Sequence, residues 1–253
     1  MRAEPAGRSP QIWSHRGRLR PAEVDADNTV AAFARVASAD LDGLELDTWM
    51  TPDERWVVVH DRDTPGGPVD RLARADLPGL PDLLDCLQAG DVGTRNVEVK
   101  VAADPDPERA DLLARRLLDE LGRLDGGVTT REVVSSFAPG LTDRLAELCA
   151  ANPGGPRVSL LCMAPPGPAQ LARLAAAGYW GVHTSGELLA RSPGAVGAIH
   201  AAGLAVVAWT VNDPEAAAAL ATAGVDALIT DSPLLLRATL GAVDADGSLP
   251  ELG

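Results

Sequence analysis

Three carboxylates, two histidines and one lysine fall at spacings that could hold a divalent cation and move protons beside it. In Gly43-Leu44-Glu45-Leu46-Asp47 the two acids stand two residues apart in a strand-like run. Side chains so spaced on a strand face the same way. Glu45 and Asp47 can therefore converge on one ion while Leu44 and Leu46 pack behind them. Glu98 and Lys100 repeat the spacing in Asn96-Val97-Glu98-Val99-Lys100. Three carboxylates, with no thiolate and no histidine doublet, suit a hard cation such as Mg2+ or Ca2+ better than Zn2+. His15 and His60 each close a short apolar run and each precedes a charged residue, Arg16 or Asp61. Two histidines across one mouth can serve as base and acid near neutral pH. Lys100 is the only lysine among 253 residues. A compact ammonium beside carboxylates can hold a phosphate oxygen; the plainer alternative is a structural ion pair with Glu98. Trp209 reads equally as core or as a flat wall for the apolar part of a ligand. His200 reads as structural, His183, at the end of a strand, as either structural or functional, and Asp231 as a cap for the final helix.

Those residues need strands to carry them. Gln11 to Ser14 reads as a strand that His15-Arg16-Gly17 ends, and Asp27-Asn28-Thr29 supplies capping side chains for a helix through about Ala39. Gly43 to Asp47 is the second strand, with Arg55 to Val59 beside it or prolonging a hairpin. Turn chemistry fills Arg62 to Leu80, including Pro65-Gly66-Gly67-Pro68. Strand and helix then alternate regularly from Asn96 to Leu240, which brings the count of strand-then-helix units to eight. That alternation means a parallel sheet with helices outside, and eight units in this length predict a closed (β/α)8 TIM-type barrel in one domain over residues 1–253. Residues 1–10 read as flexible, and residues 62–80 as a shortened insertion at the mouth. In such barrels the active site lies at the C-terminal ends of the strands, where His15, Glu45, Asp47, His60, Glu98, Lys100, Ser135 or Ser136, Trp209 and Asp231 all fall. No Gly-x-Gly-x-x-Gly follows a strand, which weakens a dinucleotide-binding reading.

Composition narrows the partners. A net charge of −14 argues against nucleic acid and against anionic membranes, both of which attract basic surfaces. An anionic substrate would have to be drawn locally, by a metal and a few basic side chains. The three cysteines, Cys86, Cys149 and Cys162, lack paired or metal-like spacing and read as buried packing residues. Without a signal-like or membrane-length apolar run, a cytoplasmic location is expected.

The ordered motifs resemble the glycerophosphodiester phosphodiesterases. The resemblance rests on His15-Arg16-Gly17, Asn28-Thr29, Glu45-Leu46-Asp47, His60-Asp61, Glu98-Val99-Lys100, Ser136-Phe137, Trp209-Thr210-Val211-Asn212-Asp213 and Gly224 to Asp231, in family order over nearly the whole chain. It implies a TIM-type barrel with a divalent ion held by Glu45, Asp47 and Glu98. His15 and His60 would be general base and acid, and Arg16 and Lys100 would hold the phosphate. The implied reaction is hydrolysis of a small phosphodiester to glycerol 3-phosphate and an alcohol. Two features depart from the pattern: Asp27 replaces the usual Glu before Asn-Thr, and the segment after His60-Asp61 lacks the usual Arg-Thr-Thr stretch that shapes the substrate pocket. Two alternatives keep the same site: a lyase that forms a cyclic phosphate, and a barrel that binds phosphorylated metabolites without turnover.

Overall fold

The computed structural model describes residues 9–124, 126–127, 129–152 and 154–241. Of the segment expected to be flexible, all but Ser9 and Pro10 lies outside those residues. The strands are β1 (Gln11–His15), β2 (Gly43–Met50), β3 (Trp56–Val58), β4 (Asp63–Thr64), β5 (Gly67–Pro68), β6 (Thr94–Val99), β7 (Glu132–Ser136), β8 (Arg157–Cys162), β9 (Gly181–Ser185), β10 (Ala205–Trp209) and β11 (Ala227–Thr230). The α-helices are α1 (Val30–Ser38), α2 (Leu83–Ala89), α3 (Pro107–Leu121), α4 (Pro139–Ala150), α5 (Pro168–Ala176), α6 (Gly186–Ala190), α7 (Ala195–Ala201), α8 (Pro214–Ala223) and α9 (Pro233–Gly241).

Eight strands close the expected barrel. β1, β2, β6, β7, β8, β9, β10 and β11 pair in parallel in that order, and β11 returns to β1 with Trp13 opposite Ile229. The ninth strand of the sheet, β3, is not a barrel stave: it folds back antiparallel on the end of β2, with Thr48 opposite Val58. His60 therefore rides on a hairpin that overhangs the mouth.

Burial explains the order. The outward faces of the strands pack under the helices in one aliphatic layer that includes Leu44, Leu46, Val97, Val134, Leu160 and Val206. α3 shows how a helix is recruited to it. Asp106 caps the helix by accepting from the Arg109 amide at 2.8 Å, Pro107 opens the first turn, and Ala110, Leu113, Ala114, Leu117 and Leu121 form the buried stripe.

The barrel interior is plugged separately by Trp13, Val133, Val207, Ala227 and Ile229. Gly43 makes room for that plug, since a Cβ there would stand 2.6 Å from Trp13 Cδ1. Above it the inward positions turn polar, through Asn96, Ser135, Ser159 and His183, to the carboxylates at the mouth. Residues 62–80, expected to be turns, hold the small β4–β5 ribbon and a core of their own. There Val69 and Leu77 are buried with Trp49 and Val57, and Val59, Leu72 and Leu80 pack around them.

Candidate active site

Strand register gathers the acids. Glu45 and Asp47 leave the inner face of β2, and β6 sets Glu98 directly beside Asp47. Each of the three offers an oxygen within 4.8 Å of the others, and all three are at least nine-tenths buried. Burial of like charges at such range is unfavourable without a cation. Burial, reinforced by Asp47 and Glu98, raises the Glu45 carboxyl well above the ordinary range. Burial and Asp47 likewise push Glu98 up to about 7. Asp47 is pushed up by burial too, but Lys100, Arg16, His60 and Asn28 together bring it below its usual value.

The positive groups stand at the edge of this cradle. Lys100 Nζ lies 2.5 Å from Glu98 Oε1 and 3.0 Å from Asp47 Oδ1, and Arg16 Nε lies 3.0 Å from Asp47 Oδ2. Lys100 is largely buried; burial lowers its pKa, but Asp47 and Glu98 more than restore it, so the ammonium is held charged. Glu45 Oε1 is buried and receives no hydrogen bond. An all-oxygen set with a free, buried acceptor is the chemistry of a hard-cation site, so the residues present fit Mg2+ or Ca2+.

Local backbone geometry builds the rest. Arg16 and Asn28 both take positive φ, 54° and 55°. Such conformations are uncommon outside Gly and cluster at functional sites. Here they turn the Arg16 amide onto Glu45 Oε2 at 3.1 Å and let the Arg16 carbonyl accept from the Asn28 amide at 2.9 Å. Asn28 straddles Asp47, donating to Oδ2 at 2.9 Å and accepting from the backbone amide at 3.2 Å. Of the three residues expected to cap α1, only Thr29 does so, accepting from Ala32 N. Asn28 belongs to the site, and Asp27 binds the Arg18 guanidinium through both oxygens.

The histidines occupy different settings. His15 Nε2 faces Glu45 Oε2 at 3.9 Å, and its Nδ1 is bonded to Asp231 Oδ1 at 2.7 Å. Asp231 was expected to cap α9. Its side chain is instead taken by His15, Arg18 and Asn212. His60 is half exposed on the hairpin ledge, where Trp49 Nε1 donates to its carbonyl at 3.3 Å and Asp61 takes its Nδ1 at 2.7 Å.

Trp209 sits at the end of β10 with its ring edge-to-face on Phe137 at 5.6 Å, and Phe137 is 46% exposed. Phe137 also lines a cavity of about 260 Å³ with Glu98, Lys100, Val101, Ala103 and Ser136. Ser136 itself is spent on the fold, donating to the Val99 carbonyl at 2.7 Å. His183 is buried against Trp13 and Trp180 below the mouth, and His200 pairs with Asp226 at 2.9 Å. His200 is thus held in a structural pair, whereas neither ring nitrogen of His183 has a hydrogen-bond partner among the described residues. The cysteines are free. Among the described residues no helix is long and apolar enough to cross a membrane.

Fold and site together define a (β/α)8 barrel with an acidic cradle, basic groups and histidines at its C-terminal mouth. The profile of the Glycerophosphoryl diester phosphodiesterase family matches residues 15–235, and the chain belongs to that family of phosphoric diester hydrolases. It is 31% identical over 239 residues, 84% of each chain, to "Probable glycerophosphodiester phosphodiesterase 2" of Mycobacterium tuberculosis. Among solved structures, a glycerophosphodiester phosphodiesterase from Parabacteroides distasonis shares the fold with a TM-score of 0.79 at 24% identity, covering 93% of this chain and 98% of that one. A phosphodiesterase from Oleispira antarctica, solved with the product sn-glycerol-3-phosphate, superposes with a TM-score of 0.75 at 21% identity, covering 91% and 96%.

Proposed function

We propose that this chain hydrolyses glycerophosphodiesters to glycerol 3-phosphate and an alcohol, with Mg2+ or Ca2+ held by Glu45, Asp47 and Glu98. The observation that carries this reading is the convergence of the three buried carboxylates within 4.8 Å. A bound divalent cation would offset charge on the phosphoryl oxygens and favour attack by water. The chain's own residues do the rest. Arg16 and Lys100 hold the phosphate at the cradle's edge, and His15 and His60 transfer protons at the attacking and leaving oxygens. Trp209 walls the side of the pocket where Phe137 also stands. The glycerol half of the assignment draws on family membership and on the product held by the Oleispira relative.

The test is hydrolysis of glycerophosphocholine and of bis(p-nitrophenyl) phosphate, with and without Mg2+ or Ca2+, by the parent chain and by Glu45→Ala. Metal-dependent release of glycerol 3-phosphate that the substitution abolishes is the expected outcome. Cleavage of the synthetic diester alone would remove the glycerol assignment. Full activity in chelator would remove the metal.

A further inference from the structure

A buried carboxylate stands behind His15, contributed by the opposite end of the chain. Asp231 follows β11 and is 9% exposed, and every group around it is a donor. His15 Nδ1 and Arg18 Nη1 reach Oδ1 at 2.7 and 2.9 Å, and Asn212 Nδ2 reaches Oδ2 at 2.7 Å. The Asn212 amide cannot turn over. Its Oδ1 already accepts from the Asp231 backbone amide at 2.8 Å and from Thr230 Oγ1 at 3.0 Å. Arg18 is fixed from its far side, where Nε donates to Asp27 Oδ1 at 2.5 Å.

A carboxylate ringed by donors accepts from all of them, so the proton on His15 must sit on Nδ1. The opposite nitrogen, Nε2, is then the free acceptor, and it is the one that faces the cradle. We infer that Asp231 is the positioning residue of His15: it fixes the Nδ1–H tautomer and the ring orientation, so that Nε2 meets the substrate ready to accept a proton. The inference rests on the reading of His15 as a proton-transfer group. It also separates the two histidines. The partner of His60 is its chain neighbour Asp61, whose side chain is 81% exposed and anchored by no comparable network. Asp231 holds burial and three donors, Asp61 one exposed contact, and contacts of that kind are worth little.

Asp231→Asn keeps the shape and breaks the logic. With its oxygen toward His15 and Arg18, the new amide nitrogen would face the Asn212 amide nitrogen, donor against donor. Turned over, its nitrogen would donate to His15 Nδ1 and drive the proton to Nε2, but would then face Arg18 Nη1 donor against donor, so neither orientation holds the ring in one tautomer. The same substitution beside the histidine of serine proteases lowers kcat about 10⁴-fold through the wrong tautomer.

The experiment reads the His15 ring nitrogens by long-range ¹H–¹⁵N correlation at pH 8 with Mg2+ present, assigned by the signals missing from His15→Gln. Kinetics on glycerophosphocholine run in parallel. Expected are a parent with a protonated Nδ1 and an acceptor Nε2, and an Asp231→Asn variant in which that single tautomer gives way to a mixture. Its kcat should fall at least ~100-fold with KM within about threefold. A parent with its proton on Nε2, or a folded variant whose kcat stays within threefold, would overturn the proposal. Should Asp231→Asn fail to fold, the parent spectrum still decides the tautomer, and Asn212→Ala tests the anchor with the carboxylate retained; unchanged kcat there would also count against it. A parent that cleaves no phosphodiester would overturn the functional reading, while the resonances still judge the role of Asp231.

Discussion

Lys100 shows how one residue can be asked to do two incompatible things. Its ammonium lies 2.5 Å from Glu98 and 3.0 Å from Asp47, so it competes with any cation for the same oxygens and also presents a charge to a phosphate. If it were only a structural ion pair, removing it would leave buried carboxylates unbalanced and destabilise the chain by roughly 3–5 kcal/mol. A phosphate-holding role predicts a different pattern for Lys100→Gln in saturating metal. The kcat/KM should drop about 100-fold, the size of losing one charged donor at a reacting oxygen. Mg2+ or Ca2+ affinity, read by calorimetry, should hold or rise because a competing cation has gone. A fall in metal affinity with unchanged kcat/KM at saturation would return Lys100 to the structural role.

At the scale of elements, the hairpin after β2 decides where His60 stands. Trp49, Val57, Val69 and Leu77 form a small core separate from the main one. Arg74 ties the segment down, donating to the Leu77 and Leu80 carbonyls at 2.8 and 2.9 Å and to Asp82 Oδ1 at 2.6 Å. Leu77→Ala should cost about 2–4 kcal/mol, as large-to-small core changes do. Below the melting point kcat/KM should fall while metal affinity, set by β2 and β6, stays put. Loss of both together would mean that the ledge also supports the cradle.

This segment also marks where the sequence stops being legible. Alternation along a strand and a helix stripe are local signals, so the eight staves and the Glu45, Asp47, Glu98 and Lys100 positions could be read directly. Val69, Leu72, Leu77 and Leu80 follow no period, so their shared core reads only as turns. The bond between His15 and Asp231 joins residues 216 apart. It depends on barrel closure, and Asp before Ser-Pro looks locally like a helix cap. Asn28 was hidden the same way, because a residue just before a helix reads as capping chemistry until β2 is beside it.

The whole molecule holds its polar mouth over an interior that tolerates few charges. Below the carboxylates the column narrows to Asn96, Ser135, Ser159 and His183, all buried, and then to the Trp13 plug. His183 is fully enclosed, and burial, with Arg157 adding to it, pushes its pKa down to about 3. The folded barrel therefore keeps this ring neutral where the unfolded chain would protonate it, below about pH 6.5. A folded-state pKa below the unfolded one gives stability that is fully present above pH 6.5 and is lost as the pH falls toward 3. Between pH 7 and 5 the loss from this one group should be about 2 kcal/mol, at 1.36 kcal/mol per unit. His183→Phe keeps an aromatic ring against Trp13 and Trp180 and removes the proton site. Urea denaturation at the two pH values should show the parent losing about 2 kcal/mol more than the variant. Equal losses would mean that His183 exchanges protons freely in the folded barrel, and that the column beneath the cradle is open to bulk water.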